Sequence, residues 1–389
     1  MPKRLLAFIL PAVLLAATLT GESAHAGDPA LPIALQRKLT RIARQMIAPV
    51  DAPLGLSHHG LGYSLRIEVP GFAPFELAEG SANPNGGPSI TPATKLRIGS
   101  VTKTLTAVGV LKLVDQGRLS LDDTLEQFVP GCPNGKFITI RQLLGMQSGL
   151  PEYTDTQAFL ADWLKHPLAP YTIEDTIEVV QAGAPQFEPG EASVYTNSNY
   201  ALLGKIIEIA AGPPWSSWED WLTAEVVVPA GLTNTVIPKD QDLSIPKGAQ
   251  GAWWFFAVDD PAAPPYGWHD LSRFSPDRAG AAGNAFSTPS DLSRWLDVLL
   301  SGGLLSTKQF AEQMQFHPLD GDDEEYGLGI LRGGGLIGHS GETLGSYTEM
   351  YLMPSTGIKI IVIAEGGDGT LAPMNYVGEL LRVITGQQP

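Results

Sequence analysis

Ser100 and Lys103 have the types and the spacing that nucleophilic chemistry requires. They lie in Lys95-Leu-Arg-Ile-Gly-Ser-Val-Thr-Lys103, where a short strand pattern passes through Gly99 into an apolar helical one (Ile98, Val101, Leu105, Val108, Leu111). An i, i+3 spacing puts both side chains on one helical face, roughly 5–6 Å apart at Cβ. A serine hydroxyl at neutral pH needs a base beside it, and a lysine one turn on serves if its amine is made neutral. The spacing recurs at Ser244-Ile-Pro-Lys247, but Pro246 breaks any helix there, so those side chains need not share a face.

Two further stretches offer partners. In Pro189-Gly-Glu-Ala-Ser-Val-Tyr195-Thr-Asn197, Tyr195 and Asn197 flank one residue, so an extended backbone points them to the same side. They offer a phenol and an amide; a plain polar loop capping the next helix is the alternative. Contact with a cationic lysine favours phenolate, whereas burial favours the neutral amine, so either Tyr195 or Lys103 is a candidate base. In Gly338-His339-Ser340-Gly341, His339 ends a strand pattern, and the glycines allow close approach of a ligand backbone. A donor N–H from that edge, paired with the N–H of Ser100, would form an oxyanion hole. Cys132, the single cysteine, sits in the turn-rich Pro-Gly-Cys-Pro-Asn-Gly without a histidine nearby and reads as a tolerated thiol. His58-His59 lacks further ligands at motif spacing, and no metal or cofactor is expected.

The elements that must position these residues follow a simple order. Leu31 to Ile47 reads as a helix with one buried face, and Tyr63, Leu65, Ile67 and Val69 alternate as a strand with one buried face. Phe72 to Ala78 reads as its hairpin partner. Helical pieces follow at Leu121 to Phe128, Ile140 to Leu144, Thr172 to Ala182, Ser198 to Ala211 and Trp215 to Val228. The aromatic run Trp253-Trp254-Phe255-Phe256 suits either core packing or a cleft wall. A helix spans Asp291 to Leu300, and the acidic run Asp320 to Glu325 reads as a solvated loop. Strands are expected at Gly327 to Leu331, Leu336 to His339, Ser346 to Met353 and Gly357 to Ile363, before a closing helix from Leu371 to Ile384. Strands at both ends with helices between them imply an α+β fold: an antiparallel sheet flanked by N- and C-terminal helices, with an inserted helical domain. The expected boundaries are 27–118 plus 285–389 for the sheet domain and 119–284 for the helical one.

Composition excludes some classes. Only 17% of the 389 residues are charged and the net charge is −16, which argues against nucleic acid or an anionic membrane surface as partner. Residues 1–26 read as a cleavable signal: Lys3 and Arg4, an apolar Leu5 to Leu19, then Ala24-His-Ala26. Export to the periplasm or medium, with no membrane span after processing, is the expectation.

The chain resembles the penicillin-recognising serine hydrolases, the group holding class C β-lactamases, D-alanyl-D-alanine carboxypeptidases, D-aminopeptidases and related esterases. Ile98-Gly-Ser-Val-Thr-Lys103 is similar to the first family motif. Phe187-Glu-Pro-Gly190 with Tyr195-Thr-Asn197 is similar to the second, and His339-Ser-Gly341 to the third. Ser148-Gly-Leu-Pro151 and Tyr326-Gly-Leu-Gly329 are further matching stretches. The resemblance implies that Ser100 is acylated, that Lys103 and Tyr195 share proton transfer, and that Asn197 holds a substrate amide. It implies an oxyanion hole from the N–H groups of Ser100 and Glu342, with His339, Ser340 and Gly341 along the substrate strand.

Two departures bear on specificity. The third motif carries histidine rather than the lysine of class C β-lactamases. Glu342 stands where several carboxypeptidases have threonine, and would repel a substrate carboxylate if it faces the cleft. Arg332 either compensates from the preceding strand or is a solvated edge arginine, since one residue of register flips the face. The expected substrate is a small molecule or peptide: a D-amino-acid peptide, an ester or a β-lactam. The expected activity is that of an exported D-alanyl-D-alanine carboxypeptidase-type peptidase. The rivals are an esterase or β-lactamase on the same residues, and a non-catalytic substrate-binding sensor.

Overall fold

The computed structural model describes residues 27–48, 50–51, 57–58, 60–155, 157–251, 253–256, 267–321, 323–366 and 373–386. The signal pattern of residues 1–26 and His59 lie outside them. Eight antiparallel strands form the main sheet: β1 (Gly62–Glu68), β2 (Phe75–Gly80), β3 (His317–Pro318), β4 (Glu324–Tyr326), β5 (Leu331–Gly333), β6 (Leu336–Thr343), β7 (Ser346–Met353) and β8 (Ile358–Glu365). Their spatial order is β2-β1-β8-β7-β6-β5-β4-β3. The N-terminal pair thus joins the C-terminal meander through β1 and β8, with Leu65 opposite Val362.

Period-two patterning sorts the side chains onto two cores. Tyr63, Leu65, Ile67, Ile358, Ile360 and Val362 pack against the first helix, α1 (Ile33–Ala43), and against the closing helix Pro373–Thr385. From the opposite face, Ile361 and Ile363 join the larger core built with the helical body. The expectation of a single buried face on β1 needs correction. Its polar face is also covered, with Ser64 and Glu68 buried. The Glu68 carboxylate takes bonds from Ser293 Oγ at 2.7 Å, Arg66 Nε at 2.6 Å and Lys359 Nζ at 2.7 Å. Buried charge is tolerated there because it is paired and hydrogen-bonded.

The helical body centres on α2 (Thr102–Asp115), which is buried along nearly its whole length, its polar Thr102, Lys103, Thr104 and Thr106 included. Around it lie α3 (Gln157–Lys165), α4 (Asn197–Ala211), the short α5 (Gly280–Gly283) and α6 (Pro289–Ser301). Thr196 caps α4 and Thr288 caps α6, each side chain accepting a first-turn N–H.

Several local expectations change. Leu121 to Phe128 holds one 3₁₀ turn, Leu125–Gln127, in place of a longer helical piece. Trp253–Phe256 is a strand paired with Gly267–Asp270. The acidic run ends inside β4 rather than remaining a loop. The strand expected from Gly327 to Leu331 is a turn closed by Gly327 N–H to Ile330 O at 2.8 Å. Gly329 has φ +79° there, and a Cβ on it would lie 2.3 Å from Ala107 Cβ on α2. Only glycine lets this turn seat against the central helix.

The segment leading into α5 carries a charge conflict. Asp277 is buried, hydrogen-bonded with Asp240 and close to Glu219 and Glu208; burial first, then Asp240, push its carboxyl up to about 9. A folded-state pKa above the ordinary carboxylate value costs no stability at low pH. The cost grows as pH rises through the ordinary value and is complete above about 9. Asp277→Asn, which keeps a donor for Asp240, is therefore expected to raise Tm at pH 8 and leave it unchanged at pH 4. Thermal unfolding at the two pH values checks this.

Candidate active site

The turn that carries the serine is Gly99–Val101, a 3₁₀ turn leading directly into α2. Lys103 is wholly buried on the first turn of α2, and its Nζ donates to Ser100 Oγ at 2.9 Å, Asn197 Oδ1 at 2.7 Å and Ala282 O at 3.0 Å. Three acceptors match the three protons of an ammonium. Burial nevertheless pulls the amine from its ordinary 10.5 down to about 7, partly opposed by the charge of Glu152. When neutral, the amine keeps its bonds to Asn197 and Ala282 and turns its lone pair to the Ser100 hydroxyl.

Tyr195 closes the other side. Its ring centroid lies 4.8 Å from Lys103 Nζ, its hydroxyl hydrogen-bonds with Ser100, and burial holds its phenol well above the ordinary range. Of the two candidate bases, the physics of burial selects Lys103, and Tyr195 remains a proton donor at neutral pH. Thr196, extended at φ −146°, sets Tyr195 and Asn197 on one side before α4 begins.

β6 forms the facing wall. Its β5 neighbour pairs with it only over Leu336, Ile337 and Gly338. From His339 to Thr343 the strand is bonded on the β7 side alone, so its other edge is open toward Ser100. Two glycines permit the approach: a Cβ on Gly341 would lie 2.0 Å from Ile98 O, and one on Gly99 would lie 2.5 Å from Glu342 N. The N–H groups of Ser100 and Glu342 are thereby brought together with no side chain between them.

His339 is buried behind this edge. Its Nδ1 bonds the Ser340 carbonyl, so it carries the proton, and its Nε2 accepts from Tyr326 Oη at 3.0 Å. Burial pushes the imidazole down to about 3. It is neutral, and it packs with Tyr326 against the Tyr195 ring at centroid distances of 6.3 Å and 5.9 Å for His339 and Tyr326. It does not replace the positive charge of a lysine.

The cleft in front of Ser100 has a volume of about 480 Å³; Ser100, Tyr195, Asn197 and Glu342 line it near the nucleophile. Tyr153, Phe159 and Trp163 form an aromatic wall, in edge-to-face contact at 5.1 Å and 5.5 Å. The Glu342 side chain reaches solvent at the rim, yet the protein around it raises its carboxyl above the ordinary range. Ser340 does not line the cleft; it pairs across to Glu349 on β7. Arg332 stands apart as well. It is exposed on β5, 2.7 Å from Glu325 Oε2 and over the Phe316 ring at 4.2 Å, which corrects its assignment as a substrate-binding residue. Cys132 is buried with its thiol pushed up to about 11, and Ser244 and Lys247 lie in a loop outside any helix. The aromatic wall and Glu152 carry no sequence motif; only their place near Ser148-Gly-Leu-Pro151 hinted at them.

The Beta-lactamase family pattern matches residues 45–380. The chain belongs to the Beta-lactamase family. This is a family of serine hydrolases. Curated relatives include Penicillin-binding protein 4* of Bacillus subtilis (strain 168), 28% identical over 317 residues, 76% of this chain and 62% of that protein. This chain therefore spans about three fifths of that relative. Penicillin-binding protein 4 of Amycolatopsis lactamdurans is 26% identical over 355 residues, 86% of this chain and 88% of that protein. Among solved structures, a D-stereospecific amidohydrolase from Streptomyces sp. superposes with a TM-score of 0.74 at 25% identity, covering 91% of this chain and 99% of that one. The D-amino acid amidase from Ochrobactrum anthropi SV3 complexed with D-phenylalanine gives 0.73 at 25% identity, with the same coverages.

Two outcomes follow from the geometry. Ser100 phosphonylation by a fluorophosphonate, with fluoride as the leaving group, is expected to rise with pH through about 7 and level off above it, because protonated Lys103 cannot take the serine proton. His339 cannot produce that limb, since its own titration lies near 3. Gly341→Ala is expected to slow that reaction at least 100-fold, since its methyl would drive the strand from Ile98 and Ser100. Quenched phosphonylation time courses with intact-mass readout measure both.

Proposed function

We propose that this chain is an exported serine hydrolase that cleaves amide or ester bonds of D-amino-acid derivatives through an acyl-enzyme. The observation that carries the reading is the buried Lys103 amine on Ser100 Oγ at 2.9 Å. Neutral Lys103 takes the Ser100 proton as Oγ bonds to the substrate carbonyl carbon. The N–H groups of Ser100 and Glu342 receive the oxyanion. Collapse breaks the bond to the leaving group, which takes a proton from the Tyr195 hydroxyl, and Lys103 ammonium returns one to Tyr195. Water then attacks the Ser100 ester carbonyl, giving a proton to Lys103; as the Oγ–acyl bond breaks, Lys103 passes that proton to Ser100 Oγ, which frees the acid and restores the neutral amine.

The solved relatives named as a D-stereospecific amidohydrolase and a D-amino acid amidase support the D-amino-acid substrate class. The aromatic wall of Tyr153, Phe159 and Trp163 suits a bulky apolar side chain on the acyl part. The D-alanyl-D-alanine carboxypeptidase reading requires a leaving group with a free carboxylate. That group would meet Glu342 in the cleft, and Arg332 is engaged with Glu325. We therefore favour an uncharged leaving group. The leader pattern in residues 1–26 supports export.

A panel of D-amino acid amides, p-nitrophenyl esters, nitrocefin and D-alanyl-D-alanine peptides tests the reading. Hydrolysis of the amides above the dipeptide is the expected result, and Ser100→Ala should lose several orders of magnitude in kcat. Acylation of Ser100 without turnover of any substrate would favour the sensor. Glu342→Thr is expected to raise kcat/KM on the free-carboxylate peptides several-fold relative to the amides. An unchanged ratio would remove Glu342 as the discriminating group.

A further inference from the structure

Glu152 touches none of the reacting atoms, yet it stands at the origin of the bonds that end on Lys103. Its Oε1 accepts the Thr154 N–H at 2.9 Å and the Thr154 hydroxyl at 2.8 Å. Its Oε2 accepts the backbone N–H of Asn197, the first residue of α4. A carboxylate at a helix start satisfies an otherwise unpartnered N–H and suits the helix dipole. The Thr154 hydroxyl spends its proton on Glu152, so its oxygen can only accept, and Asn197 Nδ2 donates to it at 3.3 Å. That fixes the amide the other way round at its far end: Asn197 Oδ1 must face Lys103 Nζ, at 2.7 Å.

We propose that Glu152 is a positioning residue of this active site: it orients the Asn197 amide through Thr154 so that its oxygen holds the Lys103 amine on Ser100, and it supplies the carboxylate whose field reaches that amine. The inference rests on the Ser100–Lys103 reading above. The groups around Lys103 are Ser100, Asn197 and Tyr200 from α4, Tyr195 ahead of it, the Ala282 carbonyl from α5 and His339 from β6. Tyr195, Tyr200 and His339 are all neutral at pH 7, and Glu342 stands at the rim. The anion acting on the amine is thus Glu152, which opposes the downward pull of burial. Burial alone would leave Lys103 neutral at lower pH; Glu152 keeps it near 7, where it both accepts and returns a proton.

The test is the rate of Ser100 phosphonylation by a fluorophosphonate from pH 5 to 9, read by intact mass, on the full chain. Glu152→Gln keeps one acceptor and removes the charge. Its acid limb is expected to move to lower pH by about half a unit or more, with a plateau several-fold below wild type. A merely destabilising change would leave the limb in place, and an unmoved limb overturns the proposal. Glu152→Asp keeps the charge but draws the carboxylate back from Asn197; a wild-type limb with a reduced plateau is expected. A wild-type plateau in Glu152→Asp overturns the proposal even if the glutamine variant fails to fold. Absence of a Ser100 adduct on the wild-type chain at every pH would instead overturn the Ser100–Lys103 reading itself.

Discussion

The site depends on one amine that the fold removes from water. Lys103 sits on a helix with no exposed face, and burying an ammonium is costly enough that the group becomes neutral near physiological pH. The three acceptors around it come from Ser100 beside it, from Asn197 at the head of α4, and from the Ala282 carbonyl of α5. Each is polar enough to hold a proton-bearing nitrogen, and none carries charge that would lock the ammonium. That balance makes one residue able to accept and return the same proton. Much of the surrounding structure keeps the balance intact, from the neutral His339 and Tyr326 behind Tyr195 to the single carboxylate of Glu152.

A second constraint is the approach of β6 to the serine turn. Catalysis at a carbonyl needs two N–H donors close together, and backbone provides them only where side chains are absent on both partners. Gly99 and Gly341 meet that condition from opposite sides. The shortness of β5 matters equally. Had it continued beside His339 to Thr343, the edge that faces Ser100 would be filled by a ladder. The sheet therefore ends its pairing beside Ser100, where the proposed substrate would lie, much as sheet edges elsewhere accept an added strand.

The fold class and the central motif were legible because they are local. Period-two alternation marks β1, a short apolar, β-branched run marks β8, and Ser100, Lys103, Tyr195 and Asn197 lie in short segments whose backbone geometry is set by neighbours in sequence. The remainder depends on tertiary contact. Ser64 and Glu68 read as a solvent face until Lys359 and Ser293 arrive from the far end of the chain. The Gly327–Ile330 turn reads as strand because Gly329 is explained by Ala107 and Tyr200, and Gly327 by the Gln313 carbonyl, all distant in sequence. Arg332 was ambiguous for a sharper reason: in a strand, one residue of register decides between cleft and solvent, and Glu325 across the ladder decides it. Glu152 carries no motif, since its role lies in the direction of hydrogen bonds made 45 residues away.

Specificity and reactivity are thus held in different parts of the site. Reactivity is set by burial around Lys103, which tolerates little change because each neighbour occupies one of its three bonds. In the proposed reading specificity belongs to the rim, where Glu342 and Asp155 line the cleft and are exposed. A charge at the rim acts on the substrate through partial solvent and can be exchanged without disturbing the amine, whereas a charge beside Lys103 would change its protonation directly. Arg278 illustrates the distinction: though it lines the cleft, its guanidinium is committed to Asp162 at 2.7 Å and lies over the Tyr171 ring. With Asp162 paired to that cation, the carboxyls of Glu342 and Asp155 are the charged groups that line the cleft from its exposed rim.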